Sequence, residues 1–158
     1  MDELTDTAPA FVEMAHRIVW CTVATVDPAG GVRTRILHPI WEWDGEQLTG
    51  WIATAPTPIK VRGIDADPHV SLTYWEPAQD TCTADCRVSW IDDRERETLW
   101  ARFADGPEPV GYDPAIIPPW ADGPSSPAFS GWRLEPYRLR VMPGSAMLDG
   151  QGLLLWRE

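Results

Sequence analysis

Apolar and polar residues alternate in several segments of this chain, and a period of two is typical of β-strands with one buried face. The predicted strands are 18–26, which is rich in β-branched residues, and 32–43, 47–53, 69–75, 81–91 and 131–142. In the fourth of them, Val70, Leu72 and Tyr74 fall on one face. Segments 27–31 and 44–45 contain Asp and Gly, which favour hairpin turns. The pattern predicts a mainly β chain with antiparallel neighbours and a further hairpin-like or strand segment at 146–156.

Three other segments are predicted to be helical. Residues 5–17 place Phe11 and Met14 on one apolar stripe, with Thr7 as the candidate N-cap. Residues 92–104 place Leu99 and Phe103 on an apolar face, opposite a charged face. A shorter helix is expected after residue 57, and it ends at 67–68 because a residue that precedes proline is pushed out of the α region.

Residues 106–130 have neither period and carry seven prolines. A segment this long and this rich in turn residues is predicted to be a surface loop with a role, such as a lid or a dimer arm. Two functions remain open for its aromatic residues Tyr112, Trp120 and Phe129. They either cap a pocket or anchor the loop to the body of the protein.

Composition narrows the function classes. The 158 residues favour one domain, and the net charge of −11 argues against a nucleic-acid or anionic-membrane surface. No apolar run approaches the ~20 residues of a transmembrane helix. The acidic start M-D-E-L-T-D lacks the features of an export signal, so a cytoplasmic location is expected. Three histidines and three cysteines show no metal-ligand spacing.

The segment 54–75 is the strongest candidate for binding chemistry. It holds the hydroxyls of Thr54 and Thr57 and the cations Lys60 and Arg62 where a strand leads into a helix. N–H groups at a helix start attract anions, and cations neutralise them. The segment therefore predicts a phosphate site, whereas the alternative is a solvated first turn with ordinary surface cations.

Three stretches, in this order, resemble a known family. The first is V-R-T-R-I-L-H-P-I-W-E-W-D-G. The second, K-V-R-G-I-D-A-D-P-H-V-S-L-T-Y-W, follows a strand that ends at Thr54, and the third, late in the sequence, is G-W-R-L-E-P-Y-R-L-R-V. Together they resemble the pyridoxamine 5′-phosphate oxidase-like proteins over residues 10–142. The resemblance implies a six-stranded antiparallel split β-barrel with Greek-key topology, a few flanking helices and a single FMN-binding domain over 1–158.

The resemblance also implies a set of cofactor-binding residues and a homodimer with the site between its subunits. Arg33 or Arg35 would reach the flavin phosphate or ring. Main-chain groups of Ile36, Leu37, His38 and Pro39 would lie along the ring, and His38 would stand close to it. Thr54 and Lys60 would hold the phosphate, assisted by Thr57 or Arg62.

The implied activity is that of an FMN-dependent oxidoreductase acting on a small molecule. No catalytic acid, base or nucleophile is identified in the sequence. The C-terminal stretch, D-G-Q-G-L-L-L-W-R-E, lacks the R-L-H-D-R-like segment of the oxidases that act on pyridoxamine phosphate, so a different substrate is expected. The alternatives are a deazaflavin-dependent reductase and a non-enzymatic protein that binds or senses a flavin, haem or apolar ligand.

Overall fold

A computed structural model describes residues 1–158 as eight strands and four α-helices. The strands are β1 Cys21–Val26, β2 Val32–Leu37, β3 Ile40–Trp43, β4 Leu48–Ala53, β5 His69–Trp75, β6 Thr81–Trp90, β7 Gly131–Met142 and β8 Leu154–Arg157. The helices are α1 Leu4–Ile18, α2 Pro58–Ala66, α3 Arg96–Ala104 and α4 Ala146–Asp149. Short 3₁₀ helices lie at Asp93–Glu95, Pro114–Ile116 and Pro118–Trp120. None of the helices combines the length and apolar character that crossing a membrane requires.

The strand count is eight rather than the predicted six for two reasons. The segment predicted as one strand over 32–43 is broken at His38–Pro39 into β2 and β3, because proline has no N–H to donate to a sheet. The segment 146–156, which was predicted as a further hairpin-like or strand segment, supplies α4 and most of β8. Gly150, with φ +70° in the left-handed region, terminates α4.

One sheet contains all eight strands in the order β2-β1-β5-β6-β7-β4-β3, with β8 paired to β7. Its two edges, β2 and β3, are joined by His38 and Pro39 alone. Three Cα steps span at most about 11 Å, whereas seven strands laid flat would measure about 29 Å across. The sheet must therefore curl until its edges approach each other, which confirms the split barrel.

Helix α1 packs against the barrel through the apolar stripe predicted for it. Phe11 is fully buried and meets the rings of Trp41 and Tyr74 edge-on, with centroid distances of 4.9 and 6.1 Å. The Trp41 indole N–H donates to the Tyr74 hydroxyl at 2.8 Å. Thr7 is not the N-cap as predicted, because α1 begins earlier with Glu3 at that position, and the Thr7 hydroxyl donates to the Glu3 carbonyl at 3.0 Å.

A second, smaller apolar cluster fixes the proline-rich segment 106–130 to the barrel. Phe103 of α3, Val110, Trp120 and Phe129 are all buried in it. Trp120 and Phe129 pack edge-on at 5.2 Å, and the Trp120 indole N–H donates to the Ala128 carbonyl at 2.8 Å. The aromatic residues of the segment thus anchor it to the body, which was one of the two predicted functions for them.

Candidate functional site

A cavity of about 650 Å³ opens where the β2–β3 connection, the ends of α1 and β4, the start of α2 and the proline-rich segment meet. This volume is within the range of small-molecule and cofactor sites. Its lining consists of Val19, Trp20, Ile36, Leu37, His38, Ala53, Thr54, Ala55, Lys60, Pro109, Tyr112, Ile116, Ile117 and Trp120. Most of these side chains are apolar, and Lys60 is the only cation among them.

The fold brings half of the predicted site residues into this lining. Ile36, Leu37 and His38 arrive from the end of β2, Thr54 from the end of β4 and Lys60 from α2. Residues from three separate segments therefore meet around one cavity.

The other predicted residues lie around the cavity rather than in its lining. Arg33 and Arg35 line a narrow cleft that shares Lys60 with the cavity. Thr57 immediately precedes α2, and Pro39 is buried in the connection between β2 and β3. Arg62 is exposed on α2 and lines neither space. Of the predicted residues, Arg62 is therefore the weakest candidate for cofactor binding.

Lys60 is a half-buried cation that has no carboxylate partner. Its Nζ donates to the Thr54 hydroxyl at 2.8 Å and lies 3.4 Å from the Ala55 carbonyl oxygen. Burial, followed by the positive charge of Arg35, lowers the pKa of Lys60. Both effects disfavour the charged ammonium, so an anion placed beside Lys60 would relieve them.

The two arginines of β2 differ in their partners. Arg33 pairs with Asp27 in the β1–β2 turn, with 3.2 Å between Nε and Oδ2. Arg35 instead donates to the Thr25 hydroxyl at 3.0 Å and meets no carboxylate. Burial, followed by the charge of Arg33, lowers the pKa of Arg35. Of the two arginines, Arg35 is therefore the one whose charge is not paired with a carboxylate, and this charge is available to a ligand.

The start of α2 leaves several hydrogen-bond donors unused. No side chain caps this helix, and Pro58 occupies its first turn. The N–H groups of Ile59 and Lys60 have no acceptor within the protein, and the Thr57 hydroxyl is buried without a partner. Together with the positive end of the helix dipole, these donors fit a phosphate group. We call Arg35, Thr57 and Lys60 the anion cradle.

Aromatic rings form another part of the lining, which we call the aromatic wall: Trp20, His38 and Tyr112. The His38 ring lies 5.0 Å from the ring of Trp20 and 5.0 Å from that of Tyr112. Its Nε2–H donates to the Val110 carbonyl at 2.5 Å, since a carbonyl oxygen only accepts. This bond ties the β2–β3 connection to the proline-rich segment.

The aromatic wall is uncharged at neutral pH. Burial lowers the pKa of His38, although the bond to the Val110 carbonyl opposes this shift. Burial also raises the pKa of Tyr112 to about 12. A neutral imidazole and a protonated phenol therefore face the cavity together with the Trp20 indole.

Sequence reasoning missed Val19 and Trp20 and left the role of Tyr112 open. Residues 18–26 were predicted as one strand, but Val19 has φ +74° and ends α1, so that β1 begins only at Cys21. A β-branched residue gives no local signal for such a conformation. For the proline-rich segment the two alternatives prove compatible, because Trp120 anchors the segment and also lines the cavity.

Three solved structures show the same fold at low sequence identity. A Clostridium acetobutylicum protein related to general stress protein 26 has a TM-score of 0.70 and 12% identity, covering 99% of this chain and 96% of that chain. A pyridoxamine 5′-phosphate oxidase-related, FMN binding protein from Nostoc punctiforme has a TM-score of 0.64 and 17% identity, covering 99% and 90%. An F420 reductase has a TM-score of 0.57 and 18% identity, covering 82% and 94%.

Sequence comparison identifies the family. No curated protein matches the chain, but the family model described as pyridoxamine 5′-phosphate oxidase matches residues 6–142. This range contains the sheet from β1 to β7, the anion cradle and the aromatic wall. The resemblance drawn from the sequence motifs is confirmed, and the chain belongs to the pyridoxamine 5′-phosphate oxidase family.

Proposed function

We propose that this protein is an FMN-dependent oxidoreductase that holds the phosphate of FMN in the anion cradle and its ring in the adjoining cavity. The observation that carries the proposal is the pairing of Arg35 and Lys60. Both are partly buried, neither has a carboxylate partner, and they stand close enough for one to lower the pKa of the other.

The composition of the protein makes this pairing informative. The protein has 24 acidic and 13 basic residues, so ion pairs are readily available to its cations. Arg17, Arg33 and Arg102 all have carboxylate partners. Two like charges left together beside unused N–H donors raise the energy of the cofactor-free protein, and a phosphate lowers it through charge-assisted hydrogen bonds.

Each group of residues has a separate part in this function. A bound flavin supplies the electron-transfer chemistry. Arg35 and Lys60 neutralise its phosphate, while the Thr57 hydroxyl and the first N–H groups of α2 donate to it. Ile36 and Leu37 contribute apolar side chains to the cavity. No side chain of the lining is an ionised acid or base other than Lys60, so the protein acts by positioning and by its electrostatics.

A homodimer is part of the proposal. Strand β2 is an edge of the sheet and has no neighbour beyond it. Val32 and Ile36 on this strand are 71% and 61% exposed. An unpaired edge that carries exposed apolar side chains favours association with a second copy. Light scattering of the purified protein should therefore give twice the mass of the chain, and a monomer at micromolar concentration would contradict this part.

The test of cofactor binding compares FMN with riboflavin, which has the same ring and lacks the phosphate. FMN fluorescence should be quenched near stoichiometry, and riboflavin should bind at least about tenfold more weakly, because the cradle acts on the phosphate alone. Equal affinities, or no quenching at tens of micromolar FMN, would contradict the proposal. Turnover of NADH or NADPH with an electron acceptor then separates an enzyme from a carrier or sensor.

A deazaflavin is the alternative cofactor. One structural neighbour is named an FMN binding protein and another an F420 reductase. The cradle has two cations, which match the single phosphate of FMN. A side-by-side titration with both cofactors distinguishes them. If the deazaflavin binds more tightly, it is the cofactor and FMN is not.

A further inference from the structure

We propose that the aromatic wall is the substrate site and that it takes an uncharged, planar molecule carrying a hydrogen-bond acceptor. This inference rests on the proposed function, because it assigns the only cation of the cavity to the cofactor. It goes further by naming the chemical class of the second ligand and the residues that select it.

The charges that one subunit contributes to the lining favour neither kind of ion. No carboxylate of this chain lines the cavity, so a cationic ligand would find no partner in it and would be repelled by Lys60. An anionic ligand would need a second cation, since a buried charge requires a partner. The net charge of −11 adds long-range repulsion of anions. A neutral molecule is the class that remains.

Strained backbone holds Trp20 at this cavity. Val19 has φ +74° and ψ −59°, and the Trp20 N–H donates to the Ile18 carbonyl at 3.0 Å. This is a γ-turn with positive φ, which is rare and costs energy, above all for a β-branched residue. Strain of this kind persists at functional sites, where the surrounding structure maintains it.

The ring that this turn positions contributes little to the core. Trp20 is 58% exposed, yet its ring lies against His38 at the cavity. Within one subunit, a strained turn that holds an exposed indole is poorly explained by stability. Stacking against a planar ligand explains the position of the indole, because aromatic rings favour such contacts.

Tyr112 supplies the polar contact. Its ring packs between those of His38 and Phe103, at 5.0 and 5.3 Å. Burial raises the pKa of Tyr112 to about 12. The phenol therefore stays protonated and can donate to an acceptor on the ligand.

The test uses 2-naphthamide and 2-naphthoate, which share one shape and differ in charge. Isothermal titration calorimetry of the FMN-loaded protein should show that the amide binds about tenfold or more tightly than the carboxylate. Equal affinities or a preference for naphthoate would overturn the inference. FMN affinity is measured first and separately, so that a failure of the proposed function is recognised independently.

Two exposed apolar residues provide matched variants. Ile116 lines the cavity and is 70% exposed, whereas Leu148 on α4 is 92% exposed and lies outside it. Ile116→Lys should reverse the preference in favour of naphthoate, and Leu148→Lys should leave it unchanged. Identical behaviour of the two variants would contradict a site at the aromatic wall.

Two further variants test the wall itself, with or without FMN. Tyr112→Phe should weaken naphthamide binding about three- to tenfold, and Trp20→Ala should weaken it about two- to tenfold. Leu148→Ala should leave naphthamide affinity unchanged in the flavin-free protein, because Leu148 lies outside the cavity. If Lys60→Met lowers that affinity while Tyr112→Phe and Trp20→Ala do not, the ligand occupies the anion cradle and the inference is wrong.

Discussion

The anion cradle and the aromatic wall border the same cavity, but the sequence builds them differently. The cradle depends on a short stretch, in which Thr57 and Lys60 are one helical turn apart and Arg35 is added from β2. The wall joins Trp20, His38 and Tyr112, which lie far apart in sequence and meet only when the proline-rich segment folds onto the barrel.

This difference has an energetic consequence. Tyr112 of the wall packs against the second apolar cluster, whose buried member Phe103 lies behind the wall, so this side of the cavity stabilises the fold. The cradle holds partly buried cations without counter-ions, so it lowers the stability of the cofactor-free protein. Changes to the apolar cluster behind the wall should therefore reduce stability, and changes to the cradle should reduce affinity. Variants in the two regions test whether stability and affinity are separated in this way, and the largest effect comes first.

Phe103→Ala should cause the largest change in stability. Phe103 is fully buried and packs against His38 and Tyr112 at ring distances of 5.9 and 5.3 Å. Removing a buried Phe side chain costs about 3–5 kcal/mol, because a cavity remains. Urea unfolding should show this loss, whereas Lys60→Ala should change the free energy of unfolding by less than about 1 kcal/mol. A loss below about 1 kcal/mol for Phe103→Ala would contradict the role assigned to the second cluster.

Lys60→Ala should have the largest effect on the cofactor. Loss of one charge-assisted hydrogen bond to phosphate costs about 1.5–3 kcal/mol, which weakens FMN binding about 10- to 150-fold. Riboflavin affinity should not change, because that ligand has no phosphate. Arg62→Ala is the matched control, since Arg62 is an exposed cation on the same helix. Fluorescence titration measures both variants. Equal losses of FMN affinity would show that Lys60 is an ordinary surface cation.

The separation also explains which features could be predicted from the sequence. Strands such as β5 and β6 follow from alternation, because one face of each is buried. The start of α2 follows from local chemistry, since Pro58 and the hydroxyl and cation around it lie within a few residues. These features depend on residues that are close in sequence. Most of the resemblance to the family depends on such local patterns as well.

The aromatic wall could not be predicted in the same way. Val19 belongs to a residue type that favours strands, yet it has a positive φ at the end of α1. Tyr112 lies in a segment without periodicity, and its position depends on packing around Phe103 and Trp120. The strand break at Pro39 had a local signal, but the curvature that brings β2 close to β3 is a property of the whole sheet.

A comparison of Arg35 with Arg33 sharpens the definition of the cradle. Arg35→Gln should weaken FMN binding by about 1–2 kcal/mol, because its guanidinium has no carboxylate partner to satisfy it. Arg33→Gln should change binding by less than about 0.5 kcal/mol, since Arg33 pairs with Asp27 near the surface. A larger loss for Arg33→Gln would show that the ion pair with Asp27 opens when the cofactor binds.

The smallest effect is the pH dependence of stability, which reports on the wall and its surroundings. Burial, followed by the charge of His38, lowers the pKa of His16, and burial lowers the pKa of His38. His16 Nε2 accepts a hydrogen bond from the Trp41 backbone N–H at 2.9 Å and must be unprotonated to do so. The folded protein therefore resists protonation at both rings.

The sign of this effect follows from proton linkage. Below the ordinary histidine pKa of about 6.5 the unfolded protein takes up protons that the folded protein refuses, so stability falls as pH decreases. Urea unfolding of the cofactor-free protein should give a constant free energy from pH 8 to 7 and a decline from pH 6.5 to 5. His16→Gln keeps an acceptor for the Trp41 N–H and should reduce the decline. A flat curve in the unsubstituted protein would mean that both rings accept protons freely, and the wall would then carry a positive charge and lose its selectivity for neutral ligands in mildly acidic solution.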